Sequence, residues 1–233
     1  RVELEVERNV KELDAILPHA PEVDRAFYRG VWYDQEMQHG RILDRLKAEL
    51  GLPPAEPLTE VGGPIKALAV AAHFKPIQDV VRAVYYFTGA STERQAVLAY
   101  SALIERLEDM GEDAVAQTVV QPIKRQEPGH FAFYSLSATK IVPELKPWQL
   151  WLARQLRARS YELVGTHHDP RYQAQMGGVS EVLGFAADPR DYAREIGRLE
   201  ARVLWANRHG MEFPPYVLEA IEESRRLYAT GRG

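Results

Sequence analysis

Apolar residues recur at intervals of three and four along most of the chain, and charged residues fill the positions between them. This is the period of α-helices with one buried face, whereas the strict alternation of half-buried strands is almost absent. The pattern predicts four long helices, over residues 2–17, 23–50, 76–110 and 113–141. Pro122 and Pro128 are expected to bend the fourth helix, because proline lacks the N–H that a helix interior uses.

A proline-rich connector joins the second helix to the third, and a short buried helix is predicted at its end, over residues 64–74. Four long helices with a crossover between the second and third have the connectivity of a ferritin-like four-helix bundle. This all-α bundle is the fold predicted for residues 1–142. Residues 143–233 are predicted to form a C-terminal helical extension packed on the bundle within one structural domain. Its helices are expected at 148–164, 189–207 and 215–228, with a loop over 165–178.

Two Glu-x-x-His motifs lie on the apolar stripes of the second and fourth helices. Glu36 and His39 continue the stripe that begins at Tyr28, and Glu127 and His130 take the same place in the fourth helix. A spacing of three puts both side chains of a motif on one side of a helix. Because glutamate normally belongs on a solvated face, its place in a core stripe indicates metal binding.

The first and third helices each add a glutamate to a core stripe. Glu93 is alone among the apolar residues of the third helix. In the first helix Glu3 is the best candidate, since Val6, Leu13 and Leu17 continue its stripe. Two alternatives remain open there. Glu7 shares much of that face, and Glu5 fits the sequence separation but not the stripe.

The metal content of such a site is predicted from its charge. Four buried carboxylates without counter-charges would cost several kcal/mol each, or would have to take up protons. Two divalent cations would balance their four negative charges. Oxygen and imidazole ligands, in a chain without cysteine, favour iron over structural zinc, with manganese as the alternative metal.

Three segments of the chain resemble helices of the soluble acyl-carrier-protein desaturases, a branch of the ferritin-like superfamily, and of their actinobacterial relatives. The first is Glu36-x-x-His39-Gly40, and the second is the segment 84–94, in which a lone glutamate precedes an arginine. The third is the Glu-x-x-His motif at 127–130 with the Phe-Tyr pair that follows it. The resemblance covers residues 1–142, and Pro128 inside the third segment departs from the helical character of the motif.

The resemblance implies a centre with two iron ions that cycle between Fe²⁺ and Fe³⁺. Glu36 and His39 would hold one iron together with Glu3, and Glu127 and His130 would hold the other with Glu93. Glu36 and Glu127 would bridge the two ions. The resemblance also implies an O₂-activating oxidoreductase of fatty acid metabolism, a homodimer that acts on carrier-bound acyl chains and receives electrons from a ferredoxin-type donor.

Other functions remain open at this stage. The same ligands would serve a ferritin-like protein that oxidises and handles iron, and a bundle without metals would be a catalytically silent ligand-binding protein. A cluster of Arg154, Arg157 and Arg159 could dock an acidic acyl carrier protein, although a solvated amphipathic helix face is the favoured explanation. His167, His168 and Asp169 invite comparison with a second metal site, but ordinary loop polarity is the favoured explanation for them.

Composition and charge exclude several classes. The net charge is −4 and the basic residues are scattered, so no nucleic-acid partner is expected. The absence of cysteine excludes disulfides and an iron–sulfur cluster held by this chain, so electrons would have to come from another protein. Apolar runs are too short for a membrane span, and the opening RVELEVERNV is too charged for a signal peptide. These features predict a cytoplasmic protein.

Overall fold

The structure, a computed structural model, describes residues 1–231, without the side chains of Pro64 and Ala67. The last two residues of the predicted C-terminal extension lie outside this range. Helices make up 77% of the structure and the described residues contain no strand, which confirms the all-α prediction. The α-helices are α1 (Val6–Ile16), α2 (Glu22–Ala26), α3 (Tyr33–Glu49), α4 (Gly63–Ala72), α5 (Lys75–Asp109), α6 (Asp113–Val115), α7 (Gln121–Lys124), α8 (Glu127–Ile141), α9 (Pro147–Ser160), α10 (Pro170–Val182), α11 (Pro189–Leu199) and α12 (Pro215–Ala229).

Stretches of π-helix interrupt the regular winding. Phe27–Trp32 joins α2 to α3 without a break, Ala116–Val120 joins α6 to α7, and Glu200–Leu204 continues α11. A π-helical stretch widens the turn locally, and such stretches are frequent next to functional sites. The first two of them precede the two Glu-x-x-His motifs along the chain.

The predicted fourth helix was expected to bend at its two prolines, and in the structure it is divided into α6, a π-helical stretch, α7 and α8. Helix α7 ends at Lys124 and α8 begins at Glu127, so that Pro128 falls in the first turn of α8. A first-turn residue has no intrahelical use for its N–H, and proline is therefore tolerated there. The second motif consequently lies within a regular helix despite its proline.

Residues 170–178 of the segment predicted as a loop belong to helix α10, so the loop prediction was wrong there, whereas residues 165–169 are not helical. The Asp169 side chain accepts a hydrogen bond from the Arg171 backbone N–H at 2.8 Å and thereby begins the helix. A β-carbon at Gly177 would come within 3.0 Å of the Ser224 backbone on α12. The two adjacent glycines of this segment thus permit close helix packing, whereas the sequence had suggested a loop.

The short helix after the connector forms, but it is only partly buried: Ala72 is fully buried, whereas its other face is open to solvent. The Val70 side chain on α4 is 78% exposed, and Phe74, just beyond its end, is 64% exposed. An alanine-rich run looks the same in the sequence whether it faces a core or the solvent.

Contacts divide the chain into two units, Arg1–Arg82 and the residues from Ala83 onward. In the first unit, α1 packs against α3 and α4. In the second unit, α10 packs along α12, and the core includes Tyr161, Leu163, Tyr192, Ala193, Ile196, Val217 and Ile221. The boundary between the units falls inside α5. The predicted division at residue 142 and the ferritin-like arrangement of the long helices stay predictions.

Candidate metal centre

The first unit brings together three of the predicted metal ligands, Glu3, Glu36 and His39. Each offers a ligand atom, and these atoms lie within 4.8 Å of one another. His39 Nδ1 is 3.5 Å from Glu36 Oε2. Glu36 is 4% exposed and His39 1% exposed, whereas Glu3 is partly buried. Two carboxylates and one imidazole from two separate elements therefore converge on one point.

The approach of Glu3 to α3 depends on a glycine. Glu3 is the first residue of the 3-10 turn Glu3–Glu5. The middle residue of this turn, Leu4, lies against Gly40. A β-carbon at Gly40 would be 2.7 Å from Leu4 Cδ2 and 3.0 Å from the Leu4 backbone nitrogen. Any larger residue would push this turn away from α3. Gly40 directly follows His39, so it fixes the approach at the level of the ligands.

The structure also distinguishes the three candidate glutamates of the first helix. Glu5 is 1% exposed, and its carboxylate is 2.6 Å from Arg1 Nη1 and 3.7 Å from Arg8 Nη2. Glu7 is exposed and bound to Lys11 Nζ at 2.8 Å. Of the three, Glu3 is the one that lies with Glu36 and His39.

The second unit brings together the other three predicted ligands, Glu93, Glu127 and His130. His130 Nδ1 is 3.4 Å from Glu93 Oε2 and 3.4 Å from Glu127 Oε2. All three side chains are buried, with exposed fractions of 3%, 1% and 1%. Their ligand atoms also lie within 4.8 Å of one another. Helix α5 supplies Glu93, and the first turn of α8 supplies the other two.

An aromatic cluster lies one turn beyond His130 on α8. The Tyr134 ring centroid is 5.3 Å from that of Tyr85 and 5.5 Å from that of Phe133, and both pairs meet edge to face. Tyr134 is 1% exposed, and its hydroxyl oxygen is 3.5 Å from that of Tyr85. A buried aromatic cluster therefore follows the second set along α8.

Each set can hold one divalent cation. Two carboxylates and one imidazole suit iron, manganese or zinc by ligand type, and a divalent cation would neutralise the two carboxylate charges. Among the described residues, no third group of histidine, aspartate and glutamate side chains is this compact. The role of the six residues as metal ligands stays a prediction.

Two other sites suggested by the sequence do not form as expected. Asp169 is bound by the Arg171 side chain and caps α10, and the group at 167–169 is not among the compact sets. Arg157 is not on a solvated face: it is 2% exposed, and it donates two hydrogen bonds, of 2.9 and 2.7 Å, to Glu200 Oε1. The sequence did not predict this buried pair, because charged residues usually lie on the protein surface.

No protein-family model, curated protein or solved structure matches this chain. In the part of the chain that the structure describes, no helix has the length and apolar character needed to cross a membrane. Residue chemistry and geometry are therefore the basis for assigning a function.

Proposed function

We propose that the two sets together hold two iron ions, and that the protein is an O₂-activating oxidoreductase of the desaturase or oxygenase type. The observation that supports this most is the burial of Glu93, Glu127 and His130 around one point. Two iron ions would balance the four carboxylate charges of the two sets. The union of the sets into one dinuclear centre, in a ferritin-like bundle, follows from the sequence resemblance.

In this proposal the residues of the chain have separate tasks. The carboxylates and imidazoles hold the metals, and iron supplies the redox chemistry with O₂ when it is bound. The aromatic cluster at Tyr134 keeps water away from the reacting C–H bond. The substrate is an acyl chain on a carrier protein or another apolar organic molecule. Electrons come from a ferredoxin-type protein, and the working form is a cytoplasmic homodimer.

Metal analysis of protein produced with iron tests the proposal. We expect two irons per chain in the wild type, and at most one after Glu93→Ala or His130→Ala. Glu105→Ala is the matched control, because Glu105 is exposed on the same helix, α5. Two irons in the His130 and Glu93 variants would contradict the ligand assignment, and a wild type without metal would support a silent ligand-binding bundle.

A second experiment separates redox catalysis from iron storage. Oxygen uptake is measured with reduced ferredoxin in the presence and absence of an acyl carrier protein loaded with stearate, and the size of the particle is measured by gel filtration. Uptake that depends on the acyl substrate, from a small oligomer, supports the proposal. A large shell that accumulates many irons per chain would favour the ferritin-like alternative.

A further inference from the structure

Helix α5 is bound by residues beyond 142 on sides other than the one that carries Glu93. Four contacts, which we call the α5 ladder, follow one another along the helix between residues 88 and 95. The ladder joins Thr88 to Arg157, Ser91 to Tyr161, Arg94 to Glu195, and Gln95 to the backbone of Val164. All of these residues belong to the second unit.

The ladder contacts are specific in their geometry. Gln95 is 2% exposed; its Oε1 accepts a hydrogen bond from the Val164 N–H at 3.1 Å, and its Nε2 donates to the Ser91 backbone oxygen at 3.2 Å. The Ser91 and Tyr161 hydroxyl oxygens are 3.4 Å apart. Burial raises the pKa of Tyr161 above its usual range, so its hydroxyl keeps its proton.

The other two contacts carry charge. The Arg94 guanidinium forms an ion pair with Glu195 on α11. Arg157 Nη1 is 3.3 Å from Thr88 Oγ1, while the rest of its guanidinium binds Glu200. Burial alone would lower the pKa of Arg157, but the Glu200 carboxylate outweighs it and raises the pKa, so Arg157 remains charged.

The spacing of residues along α5 shows where the ladder lies relative to the predicted metal ligand Glu93. Residues two apart differ by about 200° around a helix, so Ser91 and Gln95 point away from the face that carries Glu93. Glu93 meets His130 on that face, at 3.4 Å. Helix α5 is thus held on both faces at the same level.

Directional contacts of this kind limit rotation of the helix, whereas apolar packing is largely non-directional. A carboxylate about 6 Å from a helix axis moves about 1 Å when the helix turns by about 10°. Metal–ligand distances are held to about 0.2 Å. A small rotation of α5 would therefore remove Glu93 from coordination.

We propose that the α5 ladder positions Glu93 for metal binding, with Gln95 and Glu195 as positioning residues, and that this is a function of the C-terminal extension. The inference rests on the proposed function, because it assumes that the second set binds a metal. It goes beyond that function because it assigns a role in metal binding to residues that are not themselves predicted ligands.

Manganese binding to the whole chain tests the inference, because free Mn²⁺ is counted directly by electron paramagnetic resonance. Gln95→Met keeps the size of the side chain and removes its hydrogen bonds. We expect one of two binding steps to weaken about tenfold, the lower end of the effect of outer-shell partners. The other step serves as an internal reference and should stay unchanged. Glu195→Gln should weaken the same step.

Glu212→Gln is the matched control, because Glu212 pairs with Arg194 at the surface and takes no part in the ladder. It should leave both steps unchanged. Since Glu195 is partly exposed, its variant keeps the test valid even if Gln95→Met does not fold. Unchanged affinities in both ladder variants, or equal weakening of both steps alongside a lower melting temperature, would overturn the inference alone. A wild type that binds no Mn²⁺ would overturn the proposed function and this inference together.

Discussion

The Tyr134 ring on α8 occupies the space that a β-carbon at Gly89 of α5 would need. Three atoms of that ring would lie within 3.0 Å of such a carbon. Four residues after Gly89 comes Glu93, and four residues before Tyr134 comes His130, which lies 3.4 Å from the Glu93 carboxylate. The two contacts define an antiparallel register, in which Gly89 sets the helix spacing that Glu93 needs in order to reach His130.

Gly89→Ala should separate the two helices and weaken metal binding. The Tyr134 ring is 1% exposed and has little room to move, so we expect overpacking to destabilise the protein by about 1–3 kcal/mol. This exceeds the gain of about 1 kcal/mol in helix propensity. Chemical denaturation and metal content measure the two effects.

Gly129→Ala provides the control for this prediction. Gly129 is exposed on α8, directly before His130, and nothing lies within 4 Å of a β-carbon built there. The substitution should leave metal content unchanged and stabilise the protein by about 0.5–1 kcal/mol. If both variants behave alike, the spacing of α5 and α8 does not depend on Gly89.

The three glutamates of the first helical segment should respond differently to Glu→Gln substitution. Glu3→Gln should lower metal content, because it changes a carboxylate beside Glu36 and His39. Glu5→Gln should lower stability by about 1–3 kcal/mol and leave metal content intact, since it weakens a buried group that Arg1 binds. Glu7→Gln should change stability by less than about 0.5 kcal/mol, as an exposed pair does.

Metal content and urea denaturation of the three variants decide between the candidates. The wild type and Glu7→Gln serve as references for both measurements. Loss of metal in Glu5→Gln with retention in Glu3→Gln would reverse the assignment.

The burial of the predicted ligands could be read from the sequence, because helical period is a local property. Glu36, Glu93 and Glu127 fall in apolar stripes, and each is at most 4% exposed. Errors arose where burial depends on a distant partner. The face of α9 that carries Arg157 looks solvated until Glu200 is placed against it. Likewise, Gly177 suggested a loop because its role depends on the approach of α12.

The glycines that support the two sets were not predicted, although the chain contains a usable signal. Gly40 and Gly89 lie inside helices, where glycine costs about 1 kcal/mol relative to alanine. A helix-interior glycine close to a candidate ligand therefore indicates a close approach of another element. Only the structure shows which element this is.

Alkaline pH should destabilise the first unit through Tyr28. Burial, with a hydrogen bond donated to Asp14, raises the pKa of Tyr28 to about 12. An unfolded tyrosine has a pKa of about 10, so the unfolded chain loses its proton first. The contribution of Tyr28 to the free energy of unfolding is therefore complete below about pH 10 and is lost as the pH rises towards about 12.

Urea denaturation at pH 9, 10 and 11 measures this loss, with Tyr28→Phe as the test and Tyr228→Phe, an exposed tyrosine, as the control. Tyr28→Phe should be about 1 kcal/mol less stable than the wild type at pH 9. Its free energy of unfolding should then decline less steeply than that of the wild type as the pH rises. An identical decline in wild type and Tyr28→Phe would show that Tyr28 does not contribute to it.

Removal of the metals should lower the stability of the whole protein. Because the folded ligand sets bind divalent cations and the unfolded chain binds them weakly, Mn²⁺ at 100 times its dissociation constant should stabilise folding by about 2.7 kcal/mol for one site. Thermal unfolding of chelated protein, with and without added Mn²⁺, measures this effect. On addition of Mn²⁺, the melting temperature of Glu127→Gln should rise less than that of the wild type. The melting temperature of Glu105→Gln, a variant at an exposed position, should rise as much as that of the wild type. An equal rise in wild type and Glu127→Gln would place the stabilising Mn²⁺ elsewhere, and no rise in the wild type would argue against metal binding.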